Sequence, residues 1–178
     1  MALRPVLKLP DPVLRRKAHK VTAFDDELKT LIQDMIETMR DEPGVGLAAP
    51  QVGVSKRVIV VEYPENDEIE ESPIRLYSIA NPEIVTFSET TLFGIEGCLS
   101  VPIYLGEVER AEKIVVQGFN QNGKKVRVNA NGWLARIFQH EIDHLNGILF
   151  VDKATRIFKP EDSQTTADTK SDIYPSIE

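Results

Sequence analysis

A single cysteine, Cys98, among 178 residues excludes an internal disulfide and with it the stapled framework of small secreted domains. The lone thiol must be structural, reactive or metal-bound. Histidine is also scarce, at three, so two of them in one short segment carry weight. Positive charge is in deficit: 21 Lys and Arg against 28 Asp and Glu leave a net charge of −7, which disfavours direct nucleic-acid binding. Long hydrophobic runs are missing too. The longest, such as Val58 to Val61, are strand-length, and the opening MALRPVLKLP has neither the apolar stretch nor the cleavage site of a signal peptide. A cytoplasmic protein with no membrane segment is expected.

No Pro/Ser/Gly-rich linker divides residues 1–155, and no period of about 20 to 50 residues repeats. One domain is therefore expected over residues 1–158. The remaining residues, 159–178 (KPEDSQTTADTKSDIYPSIE), are polar, acidic and aperiodic, a flexible tail by composition. Pro64 to Pro73 (PENDEIEESP) reads as an exposed acidic loop between strands.

What the sequence does contain is a mixture of periods. Phe24, Leu28, Leu31, Ile32, Met35, Ile36 and Met39 recur at helical spacing, predicting a helix over 24–41. Thr22 and Asp25 offer a capping box, and Pro43-Gly44 stops the helix. Strands are expected at 57–63, 76–80 and 83–87, and a hairpin pairing 113–119 with 124–130 across Asn120-Gln-Asn-Gly123. A second helix, 132–146, ends at Gly147. The fold class is α+β, with antiparallel or mixed sheets packed around a C-terminal, metal-bearing helix.

That helix carries His140-Glu141-Ile142-Asp143-His144, an H-E-x-x-H pattern that sets two imidazoles one turn apart on one face. At about 100° per residue, Trp133, Ile137, His140 and His144 share a narrow arc that adjoins Glu141. Ala135, Arg136, Gln139, Asp143 and Asn146 occupy the opposite arc, expected to face outward. An inward carboxylate is costly to bury unless something compensates it. A divalent cation would do so for the histidines, and a water held between cation and Glu141 for the carboxylate. A purely structural metal and a metal-free polar cluster are the competing readings. His19, in the basic stretch RRKAHK, is read as a satisfied core histidine.

Two histidines leave the site short of ligands. The third histidine of the H-E-x-x-H-x-x-G-x-x-H proteases is replaced by Phe150, and the downstream glutamates Glu161 and Glu178 fall in the tail. Cys98 lies in Gly94-Ile-Glu-Gly-Cys-Leu-Ser-Val-Pro102 and can serve, although a lone Cys is also often a small buried hydrophobe. Cys98, His140 and His144 would leave a fourth position open to water, as in a catalytic site. One thiolate and two imidazoles can hold Zn²⁺, Fe²⁺, Co²⁺ or Ni²⁺. The segment Gly44 to Gly53 is not a phosphate loop, since no Lys-Ser/Thr follows it. Its Gln51 offers an amide donor for a developing oxyanion, or else sits on the surface of a tight turn.

Three segments together, GVGLAAPQ (44–51), EGCLS (96–100) and QHEIDHLNG (139–147), resemble the motifs of the peptide deformylases in order and spacing. The resemblance covers about Leu7 to Asp152. It implies an enzyme of protein biosynthesis that removes the N-formyl group from the initiator methionine of nascent chains and releases formate. It implies one divalent metal per chain, Fe²⁺ with Zn²⁺, Ni²⁺ or Co²⁺ as substitutes, held by Cys98, His140 and His144. Glu141 would exchange the proton, Gln51 and the backbone N–H of Leu99 would receive the oxyanion, and Gly46 and Gly97 would bind the substrate backbone as an added strand. A methionine-sized pocket is expected near Val45, Trp133 and Ile137. A transient ribosome contact belongs to the same expectation, although the residues after Phe158 do not resemble the long C-terminal helix of some bacterial members. An endopeptidase and a metal-stabilised binding module are the rival readings.

Overall fold

The apolar positions after Phe24 fold as α1 (Asp26–Asp41), whose buried stripe includes Leu28, Ile32, Met35 and Met39. Its cap differs from the expected one: the Asp25 side chain accepts from the Leu28 N–H at 3.0 Å, so the helix begins two residues late and Thr22 takes no part. The computed structural model describes residues 2–65 and 69–161. The acidic loop at 64–73 lies partly, and the expected tail from residue 162 onward, outside the described residues.

β1 (Gly46–Ala48), β2 (Val58–Pro64), β3 (Ile74–Phe87), β6 (Lys113–Phe119) and β7 (Lys125–Asn131) form an antiparallel sheet in the order β1-β2-β3-β6-β7. The expected hairpin is β6–β7, in register from Lys113↔Asn131 to Phe119↔Lys125. The two strands anticipated around Asn81-Pro82 are one strand, β3. It absorbs the break as register shifts between Ala80 and Glu83 and between Ile84 and Thr86, with Asn81 at a φ of +51°. A second, three-stranded antiparallel sheet, β4 (Thr91–Cys98), β5 (Val101–Ala111) and β8 (Arg156–Phe158), has no counterpart in the sequence expectation.

Between the sheets lies α2 (Gly132–His144). Leu134, Phe138, Ile142 and Leu145 pack with Ile59, Val61 and Val116 of the large sheet. Burying one such side chain contributes about 1.5–3 kcal/mol. The helix ends in a Schellman arrangement: Gly147 N–H donates to His144 O and Ile148 N–H to Asp143 O. Gly147 has a φ of +73°, and a Cβ there would lie 2.6 Å from Arg15 O, so no other residue fits. The short α3 (Phe150–Lys153) then covers β5.

Two expectations fail here. The arc of α2 assigned to solvent is buried: Ala135, Arg136, Gln139 and Asp143 are each at most 9% exposed. The second sheet covers them and satisfies their polar groups, Gln139 bonding both N–H and C=O of Ala111. His19 is exposed, and holds its place through main-chain bonds to Ser55 and Arg57.

Ile103, in β5, carries a φ of +80° although it is β-branched and 68% exposed. That conformation costs an L residue roughly 1–2 kcal/mol. Ile103→Gly should therefore raise stability by about 1 kcal/mol after glycine's extra chain entropy, a Tm increase of about 2–4 °C. A thermal melt showing no gain would refute the strain.

Candidate metal centre

His140 and His144 leave one face of α2 a turn apart, their ring centroids 5.0 Å from each other. The opposing group arrives from the second sheet. A register shift between Glu96 and Cys98 and the tight return through Leu99-Ser100 into β5 bring the Cys98 thiol 3.3 Å from His144 Nε2. The three ligand atoms lie within 4.8 Å of one another. Residues separated by over forty positions thus converge, as the sequence pattern required.

The donor set fits a divalent metal. His140 Nδ1 lies 2.9 Å from Glu96 Oε2, so the ring donates there and turns its Nε2 lone pair toward the thiol and His144. Burial, then the nearby His140, hold the His144 imidazole well below its ordinary pKa, keeping it neutral and able to ligate. At His140 burial acts in the same direction, but Cys98 and Glu96 overcome it and favour positive charge. Surroundings that attract a proton attract a cation for the same electrostatic reason.

Glu96 anchors a buried network. Arg110 grips it bidentately at 2.9 and 3.0 Å, and Arg136 Nη1 donates to its Oε1 at 2.9 Å. Arg110 also bonds Asp143, which accepts in turn from Lys153. Burial by itself would raise the Glu96 carboxyl, yet the bonds from Arg110 and His140 hold it far below the usual carboxylate range.

Glu141 is 4% exposed and makes no protein hydrogen bond through Oε2. Burial, opposed by His140 and reinforced by the negative Glu96, pushes its carboxyl up to about 7. Gly46 of β1 lies directly over it: a Cβ at residue 46 would be 2.5 Å from Glu141 Oε1. A side chain at residue 46 would push the Glu141 carboxyl aside, so glycine serves here through close approach rather than backbone angle. Gln51 is not on the surface. It is 2% exposed, its Oε1 accepts the Ala48 N–H, and its Nε2 donates to Ser100 Oγ at 3.2 Å and lies 3.6 Å from Cys98 Sγ. The amide donor therefore points toward the thiol.

Val45, Gly46 and Gln51 wall one side of a cleft over this cluster, and Gly97, Cys98 and Leu99 wall the other. Trp133, Ile137, His140 and Glu141 lie along its helical wall, while His144 is behind them, 1% exposed. The cleft also takes in Tyr63, Ile95 and Arg136, which sequence reasoning did not select. Glu96, Arg110 and Asp143 were missed as well. Glu96 sits inside the EGCLS motif, and two arginines and a histidine competing for one carboxylate could not be read from spacing.

A family model described as polypeptide deformylase matches residues 3–159. A peptide deformylase of Halothermothrix orenii is 52% identical over 157 residues, 88% of this chain and 97% of the relative. Among solved structures, the Thermotoga maritima peptide deformylase aligns with a TM-score of 0.79 at 41% identity, covering 88% of this chain and all of the other. A class I type b peptide deformylase of Acinetobacter baumannii with Met-Ala-Ser bound aligns with a TM-score of 0.78 at 43% identity, covering 85% and 98%. With a thiol–imidazole cluster beneath an open cleft and this degree of likeness along most of its length, the chain belongs to the peptide deformylases, metallo-hydrolases that remove the N-formyl group from nascent peptides.

Proposed function

We propose that the cleft performs deformylation with Cys98, His140 and His144 as metal ligands, Glu141 as the proton carrier, and Gln51 with the Leu99 N–H as oxyanion donors. The observation that carries this reading is the convergence of a thiol and two imidazoles within 4.8 Å, beside a buried carboxyl with an unpartnered oxygen. When bound, the divalent ion supplies the charge that activates a water and polarises the formamide carbonyl. Fe²⁺ is the metal expected, with Zn²⁺, Ni²⁺ and Co²⁺ as working substitutes, because a mixed S/N donor set accepts all four.

Glu141 Oε2 accepts a proton from the attacking water, and the same carboxyl returns it to the nitrogen of the departing amine, so the balance is one water consumed and one formate released. Gln51, fixed through Ala48 and Ser100, presents its amide N–H groups without having to reorient. β1 and β4 are each the outer strand of their own sheet, which leaves main-chain groups at Gly46 and Gly97 for an extended substrate. The Acinetobacter relative holds Met-Ala-Ser. Here the methionine side chain is assigned to the pocket of Val45, Trp133 and Ile137. Residues 1–158 act as one catalytic domain, in the cytoplasm and in transient contact with the ribosome. No helix among the described residues is long and apolar enough to cross a membrane.

Protein purified anaerobically should contain one divalent metal per chain and release formate from formyl-Met-Ala-Ser without cutting casein internally. Casein cleavage would favour an endopeptidase, and bound metal without either activity a binding module. Trp133→Ala should lower the preference for formyl-methionyl over formyl-glycyl peptides by about tenfold. An unchanged ratio removes Trp133 from the pocket.

A further inference from the structure

The free margin of β4 does not stop at the metal. β4 pairs with β5 from Thr91↔Ala111 to Cys98↔Val101, and among the described residues its other side faces no strand. In β5, Glu107 turns its carbonyl toward β8 and accepts the Thr155 N–H at 2.9 Å, so it faces away from β4. Its partner across the ladder, Ile95, must likewise turn its main-chain groups away from β5, and alternation extends this to Phe93, while the register shift between Glu96 and Cys98 ends the regular ladder on the metal side. Two outward-facing residues, Phe93 and Ile95, therefore line this edge. It runs from the thiol to Phe93, about 13 Å beyond Gly97 at roughly 3.4 Å per residue.

The far end of that edge is apolar and exposed. Phe93 is 59% and Leu92 46% exposed, their side chains on opposite faces of the strand, and both residues line a groove with Trp133 and Arg136. The same Trp133 and Arg136 line the catalytic cleft, so groove and cleft are continuous. Arg136 is already neutralised by Glu96 and bonded to Val108 O and Leu92 O, so it offers the groove its aliphatic stem rather than free charge.

β4 runs toward the metal, and a formylated peptide has its N-terminus there. A substrate following the edge is thus antiparallel to β4 and reaches Phe93 about four residues beyond the one held by Gly97. Its successive side chains then fall alternately beside Phe93 and beside Leu92 and Trp133, at the groove all three line. We infer that Leu92, Phe93 and Trp133 form a distal subsite that binds apolar side chains at the fifth and sixth residues of the formylated substrate. This rests on the deformylase reading of the cleft and extends it to a length dependence.

The test compares kcat/KM for formyl-Met-Ala-Ser-Ala-Leu-Leu and formyl-Met-Ala-Ser-Ala-Ser-Ser, with formyl-Met-Ala-Ser as the reference that ends short of Phe93. The Leu-Leu peptide should exceed the Ser-Ser peptide by about tenfold, through KM rather than kcat, because the contact is equal in ground and transition states. Phe93→Ser, an exposed change that removes no core packing, should cut that ratio to about twofold while tripeptide turnover stays at its wild-type value. Equal rates for the two hexapeptides, or a ratio that survives both Phe93→Ser and Leu92→Ser, would overturn the subsite. Failure of tripeptide turnover in the wild-type protein would instead count against the deformylase reading.

Discussion

Glu141→Gln should lower kcat for formyl-Met-Ala-Ser by about a thousandfold or more while the protein keeps its metal. Proton transfer by a positioned carboxyl is worth roughly 10²–10⁴ in rate. The amide is isosteric, so the close approach of Gly46 is not disturbed, and it leaves Cys98, His140 and His144 untouched. What it cannot do is accept a proton from water and return it to the amine. Metal analysis and steady-state kinetics on the same preparation separate the two effects. If kcat fell by less than tenfold with metal retained, Glu141 would lose its role, and Gln51 would be the next group to examine. If metal were lost as well, the carboxyl would belong to ion binding.

Glu96→Ala should have the largest effect on the folded state. Glu96 accepts from Arg110, Arg136 and His140, and both guanidinium groups are buried, at 4% and 5% exposure. Arg110 keeps Asp143, and Arg136 keeps two carbonyls, but the charge balance of the cluster shifts by one unit inside a poorly solvated space. Breaking a buried ion pair from one side costs about 3–5 kcal/mol. The imidazole of His140 also loses the partner that fixes its tautomer, for which an affinity loss of about 10- to 100-fold is usual. Urea unfolding with metal saturating and metal titration of the folded variant measure the two separately. A stability change under about 1 kcal/mol would mean that the two arginines are held by their other partners alone.

Elements whose apolar residues follow one clean period were legible in the sequence. α1 and the β6–β7 hairpin fall within a few residues of their expected limits because one face of each is more buried than the other, and α2 and β2, buried on both sides, because a cap or an unbroken β-branched run marks their extent. β4 and β5 were not legible. Gly94, Gly97, Pro102 and Gly106 interrupt them, and their apolar residues Phe93, Ile103 and Tyr104 are exposed, so neither alternation nor continuity marks the strands. The three-residue strands β1 and β8 are too short to carry a pattern.

The site divides the same way. Cys98, His140, His144 and Glu141 stand in motifs whose spacing has a geometric meaning, and they meet in one place. The supporting charges could not be found by that route. Arg136, Gln139 and Asp143 look like a solvated helical arc until a second sheet, itself hidden from the sequence, is laid over them. A polar residue satisfied by long-range partners is indistinguishable in sequence from one satisfied by water.

That second covering has a mechanical result. A helix gripped through its side chains by both sheets, with Arg136 and Gln139 bonded to main-chain carbonyls of β5, has no loose side on which to hinge. The wall that faces it, at Gly97, Cys98 and Leu99, is carried by the second sheet. The ligand-bearing helix is the stationary jaw of the cleft.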